Sequence, residues 1–295
     1  MDALLAGTPA VRSVEESYDL CQKLATTRYE NFTVGSWFLP RGKRKHFYAI
    51  YAFCRSVDDL GDEYTGDRMR ALDIWEQEVR SCFRDTPKHP YMIALQDTIK
   101  ACDIPEEPFL KLIKANRMDQ TNARHPTYED LEFYCQHSAN PVGHLVLYAC
   151  GYRDAERQRL SDYTCTALQL ANFWQDVGRD FDMGRIYIPL EDMARFGYSE
   201  EELASGTVTQ EFRDLMAFEV GRARDLFRLG LKLVHTLQGR LKLDVALFGL
   251  GGMKVLDAIE RQNSDVLSRR PTLSKATKLR LMLGTMLKLR LLGKV

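Results

Sequence analysis

The chain has 295 residues, 45% of them hydrophobic, which allows one or two domains and a sizeable core. Lys plus Arg (41) balances Asp plus Glu (41), so overall charge gives no reason to expect nucleic acid as a partner. The seven cysteines stand singly, without zinc spacing, and read as reduced thiols of an intracellular protein.

The opening MDALLAGTPAVRS has an acid at its second position and only a four-residue apolar run, unlike a signal peptide. Residues 1–12 are expected to be flexible. No uncharged, consistently apolar stretch reaches the roughly 20 residues of a membrane span. The expected location is cytoplasmic, with at most attachment to a membrane face.

Nearly every segment between breakers has a helical period, and none alternates as a strand would. Ser13 with Glu16 forms a capping-box signal for a helix to about Arg28. A second helix is expected from about Arg41 to Tyr64, stopped by Thr65-Gly66. Others follow at roughly 67–84, 90–102 and 105–123. Thr127 opens a helix to about Ala149 with a bend at Asn140-Pro141, where the proline ring clashes with the preceding turn. The next covers about 154–182. Pro189 and Ser199-x-x-Glu202 begin two short helices, and long ones occupy roughly 209–236, 240–265 and 271–292. Without a linker or a repeat, this reads as one all-α domain over residues 1–295.

Two of these helices carry acidic stripes. Asp58 and Asp62 are four residues apart, about 40° around a helix, so both carboxylates project from one face. Backwards, the stripe meets Arg55 and Tyr51, while Ala49, Ile50, Ala52, Phe53, Cys54 and Val57 are apolar. The second stripe is Gln169, Asn172, Asp176 and Asp180, set among Leu168, Leu170, Ala171, Phe173, Trp174 and Val177. A mostly apolar helix with one polar stripe is a buried helix lining a polar cavity. Paired carboxylates there repel and need a cation. Asp and Asn oxygens, without His or Cys, favour Mg2+, which commonly shares its shell with phosphate oxygens. A diphosphate substrate is therefore expected. A single DxxxD is most often a solvated helix face; two, each in an apolar helix with polar partners, favour the metal reading.

The segments YAFCRSVDDLGDE (51–63) and QLANFWQDVGRDFDMGRIYIP (169–189) resemble the two signature segments of the squalene/phytoene synthase family. The resemblance runs from about Tyr29 to the last helix. It implies a single-domain, all-α isoprenoid synthase fold with a central active-site cavity. Asp58, Asp59, Asp62, Asp176 and Asp180, with Asn172, would hold the magnesium–diphosphate cluster. Arg55, Tyr51, Tyr134, Asn172 and Arg185 would be cavity or diphosphate contacts. Within the family, ENFTVGSWFLP (30–40) and YCQHSANPVGHLVL (134–147) are most similar to bacterial hydroxysqualene synthases of hopanoid biosynthesis.

The chain has Asn140-Pro141-Val142-Gly143 where condensing members usually have a Gly-Thr-Val-Gly-like bend. It has Gln175 where they commonly carry Arg, and Arg28 where many have His. These departures fit an enzyme that takes presqualene diphosphate ready-made, ionises it and adds water, without nicotinamide. The alternative is a squalene or phytoene synthase condensing two prenyl diphosphates, such as farnesyl diphosphate. A non-catalytic assembly factor on the same fold would have eroded aspartates, and all four are present.

On this resemblance, Tyr134 is the expected working phenol, and Phe32, Ser138, Ala139, Gly143 and Gln175 shape the substrate pocket. Phe32, Trp37, Phe47, Phe53, Phe173 and Trp174 either stabilise a cation through their π faces or pack the core. The six histidines show neither HExxH nor ExxH, against zinc-hydrolase and di-iron readings. Gly249-Leu250-Gly251-Gly252 lacks the dinucleotide form and suggests close helix packing. From Val266 to Val295 there are eight Lys/Arg and no acid. That tail reads equally as a membrane-facing basic helix or as a core-packed one, with Lys275 or Lys278 reaching diphosphate.

Overall fold

Hydrophobic periodicity emerges as helices in the computed structural model, which describes residues 13–27 and 41–292. Residues 1–12, Arg28, Phe32 and Trp37 lie outside the described residues. Among the described residues there is no strand, only an isolated bridge between Arg124 and Ile186. The chain divides into two compact units interleaved along the sequence. One runs to Thr121 and includes Pro141–Ala155; the other takes Asn122–Asn140 and everything from Glu156.

The first unit contains α1 (Val14–Thr27), α2 (Arg44–Asp58), α3 (Arg68–Arg84), α4 (Pro90–Cys102), α5 (Glu107–Asp119) and most of α7 (Asn140–Cys150). Side chains that satisfy orphan backbone donors set the helix starts. Ser13 Oγ accepts from the Glu16 N–H at 3.1 Å, and Asp67 accepts from the Arg70 N–H. Pro90 follows His89, whose ring nitrogen caps α4. The core is the shared apolar face of α2 to α5, with Phe53 edge-on to Phe109 at 5.1 Å and Leu72, Met92, Leu95 and Ile113 fully enclosed. Beside it, the Tyr18 hydroxyl joins Asp97 and Thr98, both at 2.8 Å, tying α1 to α4.

The second unit contains α6 (Tyr128–Ser138), α8 (Ala155–Asp182), α9 (Leu190–Phe196), α10 (Glu200–Ala204), α11 (Gln210–Gly230), α12 (Leu233–Thr236), α13 (Gly239–Arg261) and α14 (Lys275–Leu292). Thr127 and Ser199 form reciprocal capping boxes with Asp130 and Glu202. The expected bend is a break: α6 ends at Ser138 and α7 starts at Asn140.

Several long helices are shorter than their patterns suggested. The 105–123 segment is helical only to Asp119. The 209–236 segment divides at Gly230, where a Cβ would lie 2.3 Å from Thr164 Oγ1. The 240–265 helix stops at Arg261, because Asn263 and Ser264 turn left-handed at φ 55° and 60°. The last helix starts at Lys275, with Ser274 Oγ accepting from the Thr277 N–H at 3.1 Å.

The glycine run in α13 is a packing device. A Cβ on Gly252 would stand 2.1 Å from Phe227 Cζ, and one on Gly249 would stand 2.8 Å from Leu231 Cδ2. Gly252→Ala is expected to lower stability by about 1–3 kcal/mol through overpacking, measured by urea unfolding.

Between α9 and α11, Arg222 Nη1 bonds Asp192 Oδ2 and Glu219 Oε2, both at 2.9 Å. Glu219 is fully buried; desolvation, against the pull of Arg222 and reinforced by Asp192, pushes its carboxyl up to about 8. A raised carboxyl keeps its proton in the folded state, so stability is lost as pH climbs from the ordinary carboxylate range through 8. Glu219→Gln, a neutral mimic, should raise the thermal midpoint by about 2–4 °C at pH 8 and by far less at pH 5.

Candidate active site

The first acidic segment is not a uniform α-helix. The α-helical pattern expected to reach Tyr64 ends at Asp58, and Asp59–Glu63 form one turn of π-helix, closed by Tyr64 N–H to Asp59 O at 2.9 Å. The reason lies in α5: Gln120 Nε2 donates to Gly61 O at 3.0 Å, drawing that carbonyl away from the helical ladder. Gly61 allows the approach, since a Cβ there would come within 2.2 Å of Asn116 Oδ1. Such single π turns concentrate at functional positions.

On this turn, Arg55 Nη2 is 2.5 Å from Asp59 Oδ1 and 2.7 Å from Glu63 Oε1. Arg55, expected on the Asp58/Asp62 stripe, thus turns its guanidinium to the adjoining 59/63 stripe. Asp58 keeps solvent-accessible surface, yet desolvation pushes its carboxyl up to about 6, against a hydrogen bond from Asn116 and the charge of Arg55. Asp62 and Asp59 add to the rise by repulsion. Asp62 is exposed and Tyr51 is half-buried. Phe47 and Phe53 belong to the apolar core.

In the second unit, α8 carries Asn172 exposed, Asp176 buried and Asp180 half-buried. Arg270 reaches Asp176 from 94 residues away, Nε to Oδ1 at 2.5 Å and Nη2 to Oδ2 at 2.8 Å. Arg179 lies 3.5 Å from the same carboxylate. Gln175, expected to face substrate and water, is instead buried. Its Oε1 accepts from Arg270 Nη2 at 3.1 Å and its Nε2 donates to Pro271 O. The cation absent at position 175 is supplied beside it by Arg270.

The connection after α13 is built to present that arginine. Gln262 Nε2 donates to Asp265 O and Arg269 O, and Asp265 caps Ser268. Gly178 admits the connection, since a Cβ there would lie 3.1 Å from Leu267 O. Asp180 lacks such a clamp. Desolvation first, then Asp176, pushes its carboxyl up to about 7, against Arg185, Arg179 and Arg270.

Asp180 and Arg185 line a narrow pocket with Phe173, Val177 and Tyr187. Phe173 stacks on Tyr187 at 3.7 Å. Tyr134 is buried beside that pair, its ring 6.2 Å from Phe173 and 5.9 Å from Tyr187. Trp174 is fully enclosed, which favours packing over cation contact. Ser138 Oγ donates back to Tyr134 O at 3.0 Å, Ala139 sits at the break, and Gly143 lies within α7. Asn140 Oδ1 accepts from Thr166 at 3.0 Å, fixing the turn between α6 and α7.

Among the described residues, no group of three or more His, Cys, Asp and Glu is gathered around one point. The donors come as hard carboxylate pairs, and Asp58 and Asp180 are pushed up by burial first and by repulsion from neighbouring carboxylates second. That chemistry fits a magnesium ion completing its shell with water and phosphate oxygens. Three residues in these surroundings were not singled out from sequence: Asn116, Gln120 and Arg270. Asn116 and Gln120 gave a faint signal as amides one turn apart in an apolar helix; Arg270 gave none.

The squalene/phytoene synthase family profile matches residues 25–277. The chain belongs to that family. Its members are prenyl-diphosphate enzymes of isoprenoid biosynthesis. It is 33% identical over 278 residues to a phytoene synthase of Arthrospira platensis, covering 89% of each chain. Against a 15-cis-phytoene synthase of Synechocystis it is 34% identical over 274 residues, covering 88% of this chain and 81% of the other. Squalene synthase HpnC from Alicyclobacillus acidocaldarius superposes with a TM-score of 0.83 at 48% identity, covering 85% of this chain and 95% of that one. A dehydrosqualene synthase with bound ligand has a TM-score of 0.85 at 24% identity, over 94% and 98% of the two chains, and supports the fold alone. The fold is the all-α isoprenoid synthase fold of these neighbours.

Asp180 and Arg270 should respond oppositely to losing charge. A raised carboxyl costs stability above its folded value, so Asp180→Asn should raise the thermal midpoint of metal-free protein at pH 8 but not near pH 4. Arg270→Gln removes three charge-assisted hydrogen bonds, two to Asp176 and one to Gln175, and should lower stability by about 1–3 kcal/mol. Melting curves in EDTA across pH check both.

Proposed function

We propose that the protein converts presqualene diphosphate and water into hydroxysqualene and diphosphate, as a magnesium-dependent hydroxysqualene synthase of hopanoid biosynthesis. The observation that carries the C30 assignment is the 48% identity to a squalene synthase, against 33% and 34% to phytoene synthases. The one-step assignment rests on the sequence departures at Ser138–Gly143 and Gln175. The reading treats the two units as one catalytic domain acting in the cytoplasm, with its water-insoluble substrate met at the inner membrane face. No helix among the described residues is long and apolar enough to cross a membrane.

Asp58, Asp59, Asp62, Asn172, Asp176 and Asp180 would hold the magnesium, which supplies positive charge to the departing diphosphate. Arg55 and Arg185 bind and orient that anion, and Arg270, held beside Asp176, would add a further positive charge towards it. The C–O bond breaks with its electron pair going to diphosphate, leaving a cyclopropylcarbinyl cation. Tyr134, Phe173 and Tyr187 present aromatic faces to it, and Tyr51 and Phe32 are substrate contacts only on the family resemblance. After rearrangement a water oxygen bonds to the cation and its proton passes to solvent. Ser138, Ala139 and Gly143 shape the pocket that admits this water, and Gln175 acts by holding Arg270. No nicotinamide takes part, because the cation is quenched by water and not by hydride.

Purified enzyme given presqualene diphosphate in ¹⁸O-labelled water without reductant should yield hydroxysqualene carrying the label. Squalene or phytoene made from two prenyl diphosphates would overturn the one-step assignment in favour of the condensing alternative. Exhaustive EDTA treatment should abolish turnover until magnesium returns. Asp58→Asn and Asp176→Asn should each lower turnover at least about a hundredfold while the helical circular-dichroism spectrum stays unchanged.

A further inference from the structure

The last helix presents a greasy face that nothing else in its unit explains. On α14, Leu279, Leu283, Met286, Leu287 and Leu291 are 53%, 56%, 41%, 58% and 71% exposed. They recur at i, i+4, i+7, i+8 and i+12, so they share an arc of about 140°. The opposite side is the packed one: Thr285 is 2% exposed, and Leu281 meets α13 at Gly251. Five large apolar side chains aligned outward exceed the scattered exposure normal for a soluble surface.

Charge decides what that face fits. Arg280 and Arg290 stand within the same arc, Lys275 at its margin and Lys288 about 60° beyond its other edge, and no acid occurs between Val266 and Val295. Pairing this helix with its counterpart in a second copy would bring cations against cations. Both arginines are exposed, and long arginine stems can cover apolar surface while their heads stay in a polar layer, which suits a surface apolar inside and anionic outside.

We propose that α14 is the docking surface for an anionic lipid bilayer, its leucine stripe entering the headgroup boundary and its Lys and Arg side chains meeting lipid phosphates. This rests on the membrane-contact reading above and specifies its surface and lipid charge. Of the two readings of the basic tail, neither alone holds: one side of α14 packs on α13, and the other is free to face lipid.

The test is co-sedimentation of the full chain with phosphatidylglycerol/phosphatidylcholine vesicles, needing no turnover and so independent of the substrate assignment. Wild type should bind in 50 mM salt, release in 500 mM, and ignore pure phosphatidylcholine. Leu283→Glu/Leu287→Glu should weaken binding at least about tenfold. Arg280→Gln/Arg290→Gln should weaken it about twentyfold, roughly fivefold per cation. All four side chains are outward, so melting curves and turnover of detergent-dispersed substrate should match wild type. Wild type remaining in the supernatant at low salt, or leucine variants sedimenting like wild type, would overturn the proposal. So would a dimer in sedimentation velocity that Leu283→Glu/Leu287→Glu converts to monomer, since a second copy would then own the face.

Discussion

Carboxylates four residues apart on a partly buried helix face repel each other, and burial weakens the solvent screening that would make this tolerable. Both acidic segments meet this constraint, by different means. At Asp58–Asp62 the relief is local: Arg55, on the same helix, takes Asp59 and Glu63, and Asn116 of the neighbouring helix donates to Asp58. At Asp176–Asp180 it comes from afar, through Arg270 on the connection before the last helix. In each case relief is incomplete. Asp58 and Asp180 remain pushed up, by burial first and then by repulsion from the neighbouring carboxylates.

The backbone around the two segments serves the same end. A π turn at 59–63 separates Asp59 and Glu63 from the Asp58 stripe, and it exists because Gly61 lets α5 come close enough for Gln120 to hold its carbonyl. Gly178 plays the equivalent part for the 262–271 connection, and paired left-handed residues at 263 and 264 aim that connection towards α8. A larger side chain at Gly61 would displace the Asn116 amide, and one at Gly178 would displace the connection that carries Arg270.

Arg270 sets the electrostatic balance of the second segment. With Arg270 bidentate on Asp176, the carboxylate is neutralised within the protein. One arginine thereby limits the cost of burying that carboxylate. Gln175 contributes by orienting this arginine, a role that an arginine at 175 would oppose by repulsion.

Helix order and most helix starts were legible in the sequence, because capping and hydrophobic period are local physics: Ser13, Thr127 and Ser199 cap where their spacing indicates. The close packing at Gly249 and Gly252 was equally legible, and the long motifs around the aspartates carried the family. Helix ends were less so, since Asp119, Gly230 and Arg261 terminate helices through contacts or left-handed turns that no periodicity encodes. Only the tertiary structure decided that Asp59–Glu63 wind as a π turn, that Gln175 faces a loop, and that Arg270 is the partner of Asp176. It also decided which side of the basic tail is packed and which displays leucines. Charge and apolarity are written residue by residue, whereas the partner of a charge 94 positions away exists only once the chain between them has folded.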